Sequence, residues 1–325
     1  MKTGFVALAL VGLTMAVGCT TSATSEEPET VNETNDAIIG GELHSGHPSV
    51  VAVGDNSRAF CTGTVIGKRT VITAGHCYAA GIKAIYLGAN ATSTSGLTKI
   101  AVAQAIRHPG YKTTGGKPSN DLTIVKLAAD APMQPAPLFR GTMDNSSTFI
   151  GPKFTWVGYG DNVAGSGPWG GSSGFGKKRI THFAINKVGQ VGGTQVGGTA
   201  GTIDETMFWY NVPGLSMCHG DSGGPAFFVQ DGVEHLIGAT SFGNPGCSSD
   251  GVQSRTDAPQ IANFIQANLD AFEGNDACRG DGSCNESCNT GGQVKDPDCH
   301  EAHAGRDGIC SQLAENDPDC TASSH

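Results

Sequence analysis

Residues 217–225 read MCHGDSGGP, and they place Ser222 between an aspartate and two glycines. A serine hydroxyl is a weak nucleophile, and it reacts when a base takes its proton and donors stabilise the oxyanion that forms. Glycines let the backbone turn sharply, so the N–H groups of Gly220 and Ser222 can point to one place. The segment therefore predicts a nucleophile with an oxyanion hole, although Gly-rich segments are also typical of surface turns.

A base and an acid that fit this serine lie upstream. His76 stands in residues 73–77 (TAGHC), directly after an apolar run, and it differs in this context from the nine other histidines. Asp121 opens the strand-like run at residues 121–127 (DLTIVKL). An aspartate in that position is by itself more typical of a turn. With Ser222, these residues predict a catalytic triad in the order His, Asp, Ser.

These segments together resemble the trypsin/chymotrypsin family over residues 38–272. The order of the triad matches that family and differs from subtilisins and α/β-hydrolases. Residues 38–41 (IIGG) resemble the mature N-terminus of the family, and residues 241–243 (SFG) resemble the segment that pairs with bound substrate. The resemblance implies two disulfides, Cys61–Cys77 beside the catalytic histidine and Cys218–Cys247 beside the substrate pocket.

Short β-branched runs separated by Gly, Asn, Pro and Ser predict an all-β fold. The resemblance implies two packed six-stranded antiparallel barrels with the active site between them. A C-terminal helix is predicted over residues 258–272, with Asp257 as its N-cap. Its apolar face comprises Ile261, Phe264, Ile265, Leu269 and Phe272.

The resemblance also implies synthesis as a zymogen. Cleavage at Ala37–Ile38 would free the amine of Ile38, which would pair with Asp221, and breaking one side of such a buried pair costs about 3–5 kcal/mol. No Lys or Arg precedes the bond. The expected activator is therefore a protease that prefers small residues.

The base of the substrate pocket corresponds to Ser216, where trypsin-like enzymes have Asp. Preference for Lys or Arg is therefore not expected. A neutral pocket suits an apolar side chain at P1, the substrate residue before the scissile bond, so chymotrypsin-like cleavage is predicted, with elastase-like cleavage as the alternative. The other residues assigned to substrate binding are Met217, His219 at the rim, Ser241, Phe242, Gly243 and Gly251.

The ends of the chain differ in composition from its centre. Residues 1–18 resemble a bacterial export signal, with Lys2 before a short apolar run. The following residue, Cys19, leaves two endings open, ordinary signal-peptidase cleavage or a lipid anchor at Cys19. Residues 19–37 are polar and acidic, which predicts a propeptide. The protease domain is expected over residues 38–273 and a Cys-rich tail over residues 274–325.

The tail contains six cysteines, which in an exported chain predict three disulfides in one of fifteen pairings. A zinc site with His300 or His303, and calcium binding through Asp-Gly and Asp-Pro-Asp repeats, are alternatives to an acidic, disulfide-linked appendage. The cysteines are Cys278, Cys284, Cys288, Cys299, Cys310 and Cys320.

The formal net charge of −10 comes from the ends of the chain. Residues 26–36 contain five acids and no Lys or Arg, and residues 273–325 contain eleven acids and three basic residues. The remaining centre is nearly neutral, which argues against nucleic-acid binding. A monomer with peptide substrates and no cofactor or catalytic metal is expected. Two alternatives to an active protease are a catalytically silent protease-like binding protein and a surface protein whose tail is the working part.

Overall fold

The computed structural model describes residues 38–165, 174–191, 195–197, 199–200 and 202–273. The predictions for the signal peptide, the propeptide, Cys19 and the tail lie outside the described residues. In the described part the chain is mostly β, with α1 (Pro259–Glu273) as its one α-helix. The prediction of a mainly β fold with a C-terminal helix is confirmed.

A closed antiparallel barrel follows the short strand β1 (Glu42–Leu43), with strand order β2-β3-β4-β9-β6-β5. The sequence favours these strands because Val and Ile fit a pleated, buried surface. Val51, Val53, Val71 and Val125 fill the interior. The hairpin β7–β8 is not part of the barrel and precedes β9 in the chain. The strands are β2 (Val50–Gly54), β3 (Ala59–Val65), β4 (Thr70–Thr73), β5 (Ala84–Tyr86), β6 (Lys99–Arg107), β7 (Lys112–Thr114), β8 (Lys117–Ser119) and β9 (Thr123–Leu127).

The second half forms an eight-stranded antiparallel sheet in the order β1-β11-β10-β16-β17-β18-β15-β12. Only Ile185 and Asn186 separate β11 from β12, although these strands lie near opposite ends of that order. The sheet must therefore curl strongly. A closed second barrel is not confirmed, because the outer edge of β11 pairs with β1. The remaining strands are β10 (Lys153–Gly158), β11 (Arg179–Ala184), β12 (Lys187–Val188), β13 (Gln195–Val196), β14 (Thr199–Ala200), β15 (Met207–Asn211), β16 (Pro225–Gln230), β17 (Val233–Gly243) and β18 (Asp250–Arg255).

The largest hydrophobic cluster joins the barrel, the second sheet and the helix. It includes Ile72 and Leu122 from the first half, Tyr159 and Phe227 from the second, and Leu269 from α1. Burying a side chain such as Leu269 stabilises the fold by about 1.5–3 kcal/mol. This shared core fixes the two halves against each other, and it thereby fixes the residues that each half contributes to the cleft.

A side chain at the C-terminal end of α1 attaches the helix to the first barrel. Glu273 Oε1 accepts hydrogen bonds from the Arg69 N–H at 2.8 Å and from the Thr70 hydroxyl at 2.5 Å. The prediction that Asp257 is the N-cap is wrong. Its carboxylate instead accepts bonds from the Arg255 guanidinium and from the Met143 N–H, because the guanidinium two residues away is the stronger donor. Within the described residues no helix has the length and apolar character needed to cross a membrane.

Candidate active site

His76 and Asp121 meet at the edge of the first barrel. His76 begins a 3₁₀ helix, His76–Ala80, after β4, and Asp121 lies two residues before β9. The Nδ1 atom of His76 is 2.8 Å from Asp121 Oδ2, and the His76 N–H donates to Oδ1 at 2.7 Å. The Asp121 side chain is fully buried, whereas 33% of the His76 side chain is exposed. The carboxylate therefore fixes the ring while its other nitrogen remains available to the cleft.

The pKa of His76 reflects two opposed effects. Burial disfavours the charged ring and lowers the pKa, whereas the negative charge of Asp121 and its hydrogen bond raise it. The effects of Asp121 prevail, and the pKa lies above its ordinary value. A ring of this kind can accept a proton and be stabilised as the imidazolium.

Two serines of the second half hold Asp121 from the other side. The Ser241 hydroxyl donates to Asp121 Oδ2 at 2.6 Å, and the Ser254 hydroxyl donates to the Asp121 carbonyl at 3.0 Å. The sequence assigned Ser241 to the substrate segment and gave no reason to connect it with the acid. These two bonds fix the position of Asp121 from the side of the second half.

Thr62 on β3 attaches the loop of Ser222 to the first barrel. The Thr62 N–H donates to the Ser222 carbonyl at 2.9 Å, and the Thr62 hydroxyl donates to the Gly220 carbonyl at 2.8 Å. Thr62 is fully buried and directly follows Cys61, whose disulfide partner is the neighbour of His76. The two halves are thus linked close to both Ser222 and His76. The sequence analysis missed this residue, because nothing local to it marks the contact.

The Ser222 loop contains two glycines with positive φ. Gly220 and Gly223 have φ values of +98° and +83°, in the region that favours glycine. A Cβ on Gly220 would lie 2.4 Å from the ring of Phe175, so only glycine fits there without rearrangement. In the described part of the chain, the N–H groups of Gly220 and Ser222 donate to no protein acceptor. They are two donors available to a ligand.

No hydrogen bond joins the Ser222 hydroxyl to His76 among the described residues. Ser222 is half-buried, and its carbonyl is 3.8 Å from the Cys77 sulfur, next to His76 in the chain. Bonds between a nucleophile and its base are often long without substrate and shorten in the complex. The structure thus brings His76 and Asp121 into contact and places the Ser222 backbone beside them.

Asp221 and Ile38 are both fully buried. The carboxylate of Asp221 accepts the N–H groups of Gly160 at 2.7 Å and Cys218 at 2.8 Å. Burial nevertheless raises the pKa of Asp221 to about 7. Ile38 has a φ of +46°, an outlier for a β-branched residue, and the N–H of Ile39 bonds to the Ser216 carbonyl at 3.0 Å. These contacts bring Ile38 and Ile39 to the chain that leads into Asp221.

The residues assigned to the pocket lie at the ends of β17 and β18 and in the segment before Ser222. Gly243 pairs with Gly251 in register, Phe242 is half-buried, and Met217 is buried in the hydrophobic cluster of the second half. His219 is half-exposed, with Nε2 3.4 Å from the Pro245 carbonyl. These residues lie on two strands and one loop near Ser216, the residue assigned to the base of the pocket.

Tyr210 on β15 is a residue of this region that the sequence analysis missed. Its hydroxyl accepts the Met217 N–H at 2.9 Å and is 3.5 Å from the hydroxyl of Ser216, which is fully buried. A Cβ on Gly251 would lie 2.3 Å from the Tyr210 oxygen. The phenol oxygen therefore lies between Ser216 and Gly251, two of the residues assigned to substrate binding.

The disulfides join Cys61 to Cys77 and Cys218 to Cys247, the two pairs that the resemblance implies. The first lies beside His76, and together Cys61, His76 and Cys77 form a compact group of atoms of the kinds that bind metals. Both sulfurs are consumed in the disulfide, so neither is the thiolate that a metal requires. This group is therefore not a metal site.

Comparison with known proteins gives one family and several relatives. The protein-family model described as Trypsin matches residues 38–265. CLIP domain-containing serine protease B14 of Anopheles gambiae is 32% identical over 164 residues, which cover 46% of this chain and 42% of that protein. Achelase-1 of Lonomia achelous is 26% identical over 202 residues, 58% of this chain and 91% of that protein. Serine protease 1 of Canis lupus familiaris is 29% identical over 257 residues, 76% of this chain and 93% of that protein. The chain thus spans less than half the length of the mosquito relative.

Proposed function

Because the chain belongs to the trypsin family of serine proteases, we propose that it is an active serine endopeptidase with His76, Asp121 and Ser222 as its catalytic residues. The observation that carries this proposal is the Asp121–His76 pair at 2.8 Å, fixed beside the Ser222 loop by Thr62. A silent binding protein of the same family would have no need of this arrangement.

The mechanism follows from the roles of these groups. The Ser222 oxygen attacks the scissile carbonyl while His76 takes its proton, and Asp121 stabilises the imidazolium. The N–H groups of Gly220 and Ser222 donate to the oxyanion. His76 then gives its proton to the leaving amine as the C–N bond breaks. Water, deprotonated by His76, attacks the resulting acyl-enzyme and releases the acid product and Ser222.

A fluorophosphonate probe tests this proposal, because it phosphonylates only an activated serine. We expect labelling at Ser222 in protein cut at Ala37–Ile38, and its loss in both His76→Ala and Ser222→Ala variants. Labelling that persists in His76→Ala would separate Ser222 from the proposed base. No labelling of correctly cut, folded protein would favour the binding-protein alternative.

Zymogen activation is supported by the geometry of Asp221 and Ile38. A buried carboxylate with a pKa raised to about 7 is stabilised by a cation, and cleavage at Ala37–Ile38 would supply the Ile38 ammonium. Cleavage also removes the φ torsion of Ile38, and with it a backbone strain of about 1–3 kcal/mol. The residue before the bond is Ala37, so we propose an activating protease with a preference for small residues.

For the substrate, the neutral base at Ser216 supports an apolar side chain at P1 and argues against Lys or Arg. Chymotrypsin-like cleavage after Phe, Tyr, Leu or Met is the first candidate. Tyr210 favours the second, elastase-like candidate, because its hydroxyl fills space beside Gly251 and shortens the pocket. Burial of each extra CH₂ in such a pocket is worth about 0.8 kcal/mol, which is enough for a measurable preference.

We propose that the chain is exported, because residues 1–18 resemble an export signal. The two disulfides of residues 38–273 support this, since disulfides form in oxidising compartments. We propose residues 19–37 as the propeptide, 38–273 as the protease domain and 274–325 as an appended tail. If Cys19 carries a lipid, activation would also release the enzyme from the membrane. Fractionation of a Cys19→Ser variant tests this, and unchanged membrane association would contradict it.

A further inference from the structure

Phe175, in the segment that leads into β11, packs against the backbone of Gly220. A Cβ on Gly220 would lie 2.4 Å from two carbons of the Phe175 ring, so the ring is in van der Waals contact with the Gly220 Cα. The same Cβ would lie 3.1 Å from the Cα of Gly160, which follows β10. Phe175 and Gly160 therefore cover one side of Gly220.

The position of Phe175 is fixed by the backbone of the next residue, Gly176. The Gly176 N–H donates to the Tyr159 carbonyl at 2.7 Å, and the Gly176 carbonyl accepts the Ala91 N–H at 2.6 Å. Gly176 has a φ of +91°, and a Cβ there would lie 2.6 Å from the Thr92 nitrogen. The segment that carries the Phe175 ring is thus held between the end of β10 and a loop of the first half.

The peptide that joins His219 to Gly220 carries the Gly220 N–H, one of the two proposed oxyanion donors. In a planar trans peptide the C=O and N–H groups point in opposite directions. The His219 carbonyl accepts the Asp161 N–H at 2.8 Å. The Gly220 N–H therefore points away from Asp161.

This orientation is not fixed by the stereochemistry of the loop itself. Gly220 has a φ of +98°, and glycine adopts positive and negative φ about equally readily. The direction of its N–H therefore depends on the groups that pack against it. Without the Phe175 ring there would be empty space beside Gly220, and the surroundings of such a cavity relax partly into it. Movement of Gly220 into that space would disturb the alignment that the Asp161 bond gives to the peptide.

We propose that Phe175 is a positioning residue for the oxyanion hole, because its ring keeps Gly220 where the Asp161 bond directs the Gly220 N–H to the oxyanion. This inference rests on the proposed function, since an oxyanion forms only when Ser222 attacks a substrate carbonyl. Phe175 acts through Gly220 and not by contact with the reacting atoms. Removal of an oxyanion donor lowers kcat by about 10²–10³, so misplacement of a donor that is retained should cost less, about tenfold.

The first test is steady-state kinetics of Phe175→Ala in protein processed to an Ile38 N-terminus. The substrate is a peptide p-nitroanilide, in which no amino-acid residue follows the scissile bond, so a lost contact to such residues cannot explain a slower reaction. We expect kcat to fall about tenfold, with a change in KM of less than about twofold. Phe175→Tyr keeps the ring and should retain at least about half of kcat.

A peptide boronic acid supplies a second measurement. Its boron bonds to the Ser222 oxygen as His76 takes the proton, and one boron-bound oxygen then occupies the place of the oxyanion. If Phe175 positions the Gly220 N–H, the affinity of Phe175→Ala for this inhibitor should fall by about the factor by which kcat/KM falls. A loss of stability alone would leave the affinity of the folded protein unchanged.

The matched control is Phe264→Ala on α1. Both rings are partly buried against the same hydrophobic cluster, and the Phe264 ring contacts His108 at a centroid distance of 4.7 Å. Phe264→Ala should lower Tm and leave kcat unchanged. Thermal unfolding establishes that each variant is folded at the assay temperature, and if Phe175→Ala is not, Phe175→Leu replaces it, with an expected loss in kcat of at least about threefold.

The outcomes separate this inference from the proposed function. Unchanged kcat and boronate affinity in the Phe175 variant, or an equal loss of kcat in Phe264→Ala, would overturn the role of Phe175 and leave the protease assignment intact. A loss in Phe175→Tyr as large as that in Phe175→Ala would also overturn it. Absence of Ser222-dependent hydrolysis by the unsubstituted protein would instead contradict the proposed function, and this inference with it.

Discussion

At the scale of single residues, the charge on Asp121 sets the pH at which the proposed base works. His76 must be neutral to accept the proton of Ser222, and its pKa is raised because Asp121 outweighs burial. We expect kcat/KM to fall as pH drops through a midpoint above the ordinary value for histidine of about 6.5. A pH–rate profile of the activated enzyme measures this midpoint.

Asp121→Asn supplies the control for this profile. Without the negative charge the midpoint should move down, and kcat should fall by about 10⁴ because the ring loses its fixed tautomer. A midpoint that stays in place in the Asn variant would show that another group controls the profile.

Thr62 provides a second residue-scale prediction. Thr62→Val removes the hydroxyl that bonds to the Gly220 carbonyl at 2.8 Å and leaves the backbone bond to Ser222 intact. An unsatisfied buried carbonyl costs about 1–3 kcal/mol, so we expect kcat to fall about tenfold or more with little change in KM. Steady-state kinetics on a short peptide ester measures both constants.

Thr62→Ser is the matched variant, because it keeps the hydroxyl and should restore most of kcat. A loss in the Ser variant as large as that in the Val variant would contradict this prediction, because Ser retains the hydroxyl that bonds to the Gly220 carbonyl.

At the scale of elements, the Cys218–Cys247 disulfide joins the segment before Ser222 to the loop between β17 and β18. Both sides of the proposed pocket depend on it. Replacing both cysteines by serine should lower the free energy of unfolding by about 2–4 kcal/mol. It should also raise KM more than it lowers kcat, because His76 and Asp121 lie on the other half. Urea unfolding and steady-state kinetics measure the two effects.

The corresponding double variant at Cys61 and Cys77 should show the opposite pattern, with the larger effect on kcat, since this disulfide lies beside His76. The same kinetic pattern in both variants would contradict the assignment of one disulfide to the pocket and the other to the base.

The secondary structure around the site follows from local sequence. The strands that precede His76 and follow Asp121 are rich in Thr, Val and Ile, and α1 has a regular apolar face. Each of these elements can therefore be predicted without the rest of the chain. The shape of the second sheet cannot be predicted from local sequence. Its curvature depends on how β11 bends into β12 across two residues and on the pairing of β1 at the edge.

In the candidate site, too, some features can be predicted from local sequence and others depend on the fold. The glycines around Ser222 form a local pattern, whereas the bonds of Thr62 to Gly220, of Ser241 to Asp121 and of Tyr210 to Met217 are made by side chains that many other positions also carry. Thr62 and Gly220 are separated by 158 positions, and Ser241 and Asp121 by 120. Such contacts depend on the completed fold and leave no signal in either segment alone.

At the scale of the whole molecule, cleavage at Ala37–Ile38 should remove one contribution to the pH dependence of stability, that of Asp221. In the uncut chain the folded state keeps a proton on Asp221 up to about pH 7, whereas the unfolded chain loses it near pH 4. The folded state then binds more protons, so the free energy of unfolding should fall between pH 4 and 7, by up to about 4 kcal/mol. After cleavage the Ile38 ammonium stabilises the carboxylate and this decrease should disappear.

Urea unfolding of the Ser222→Ala protein, cut and uncut, measures this difference. Uncut protein that also carries Asp221→Asn is the control, since it retains the titrating histidines and lacks the carboxylate. The same pH dependence in the uncut protein and in this control would contradict a buried, protonated Asp221.

The central claim is tested most directly by a peptide-library cleavage profile. Protein processed to an Ile38 N-terminus is compared with the same preparation carrying Ser222→Ala. We predict endopeptidase cleavage after apolar residues that disappears in the variant, with Phe, Tyr, Leu or Met indicating a deep pocket and Ala or Val a pocket shortened by Tyr210. Absence of Ser222-dependent cleavage, with the Ile38 N-terminus verified, would contradict the assignment of this protein as an active serine endopeptidase.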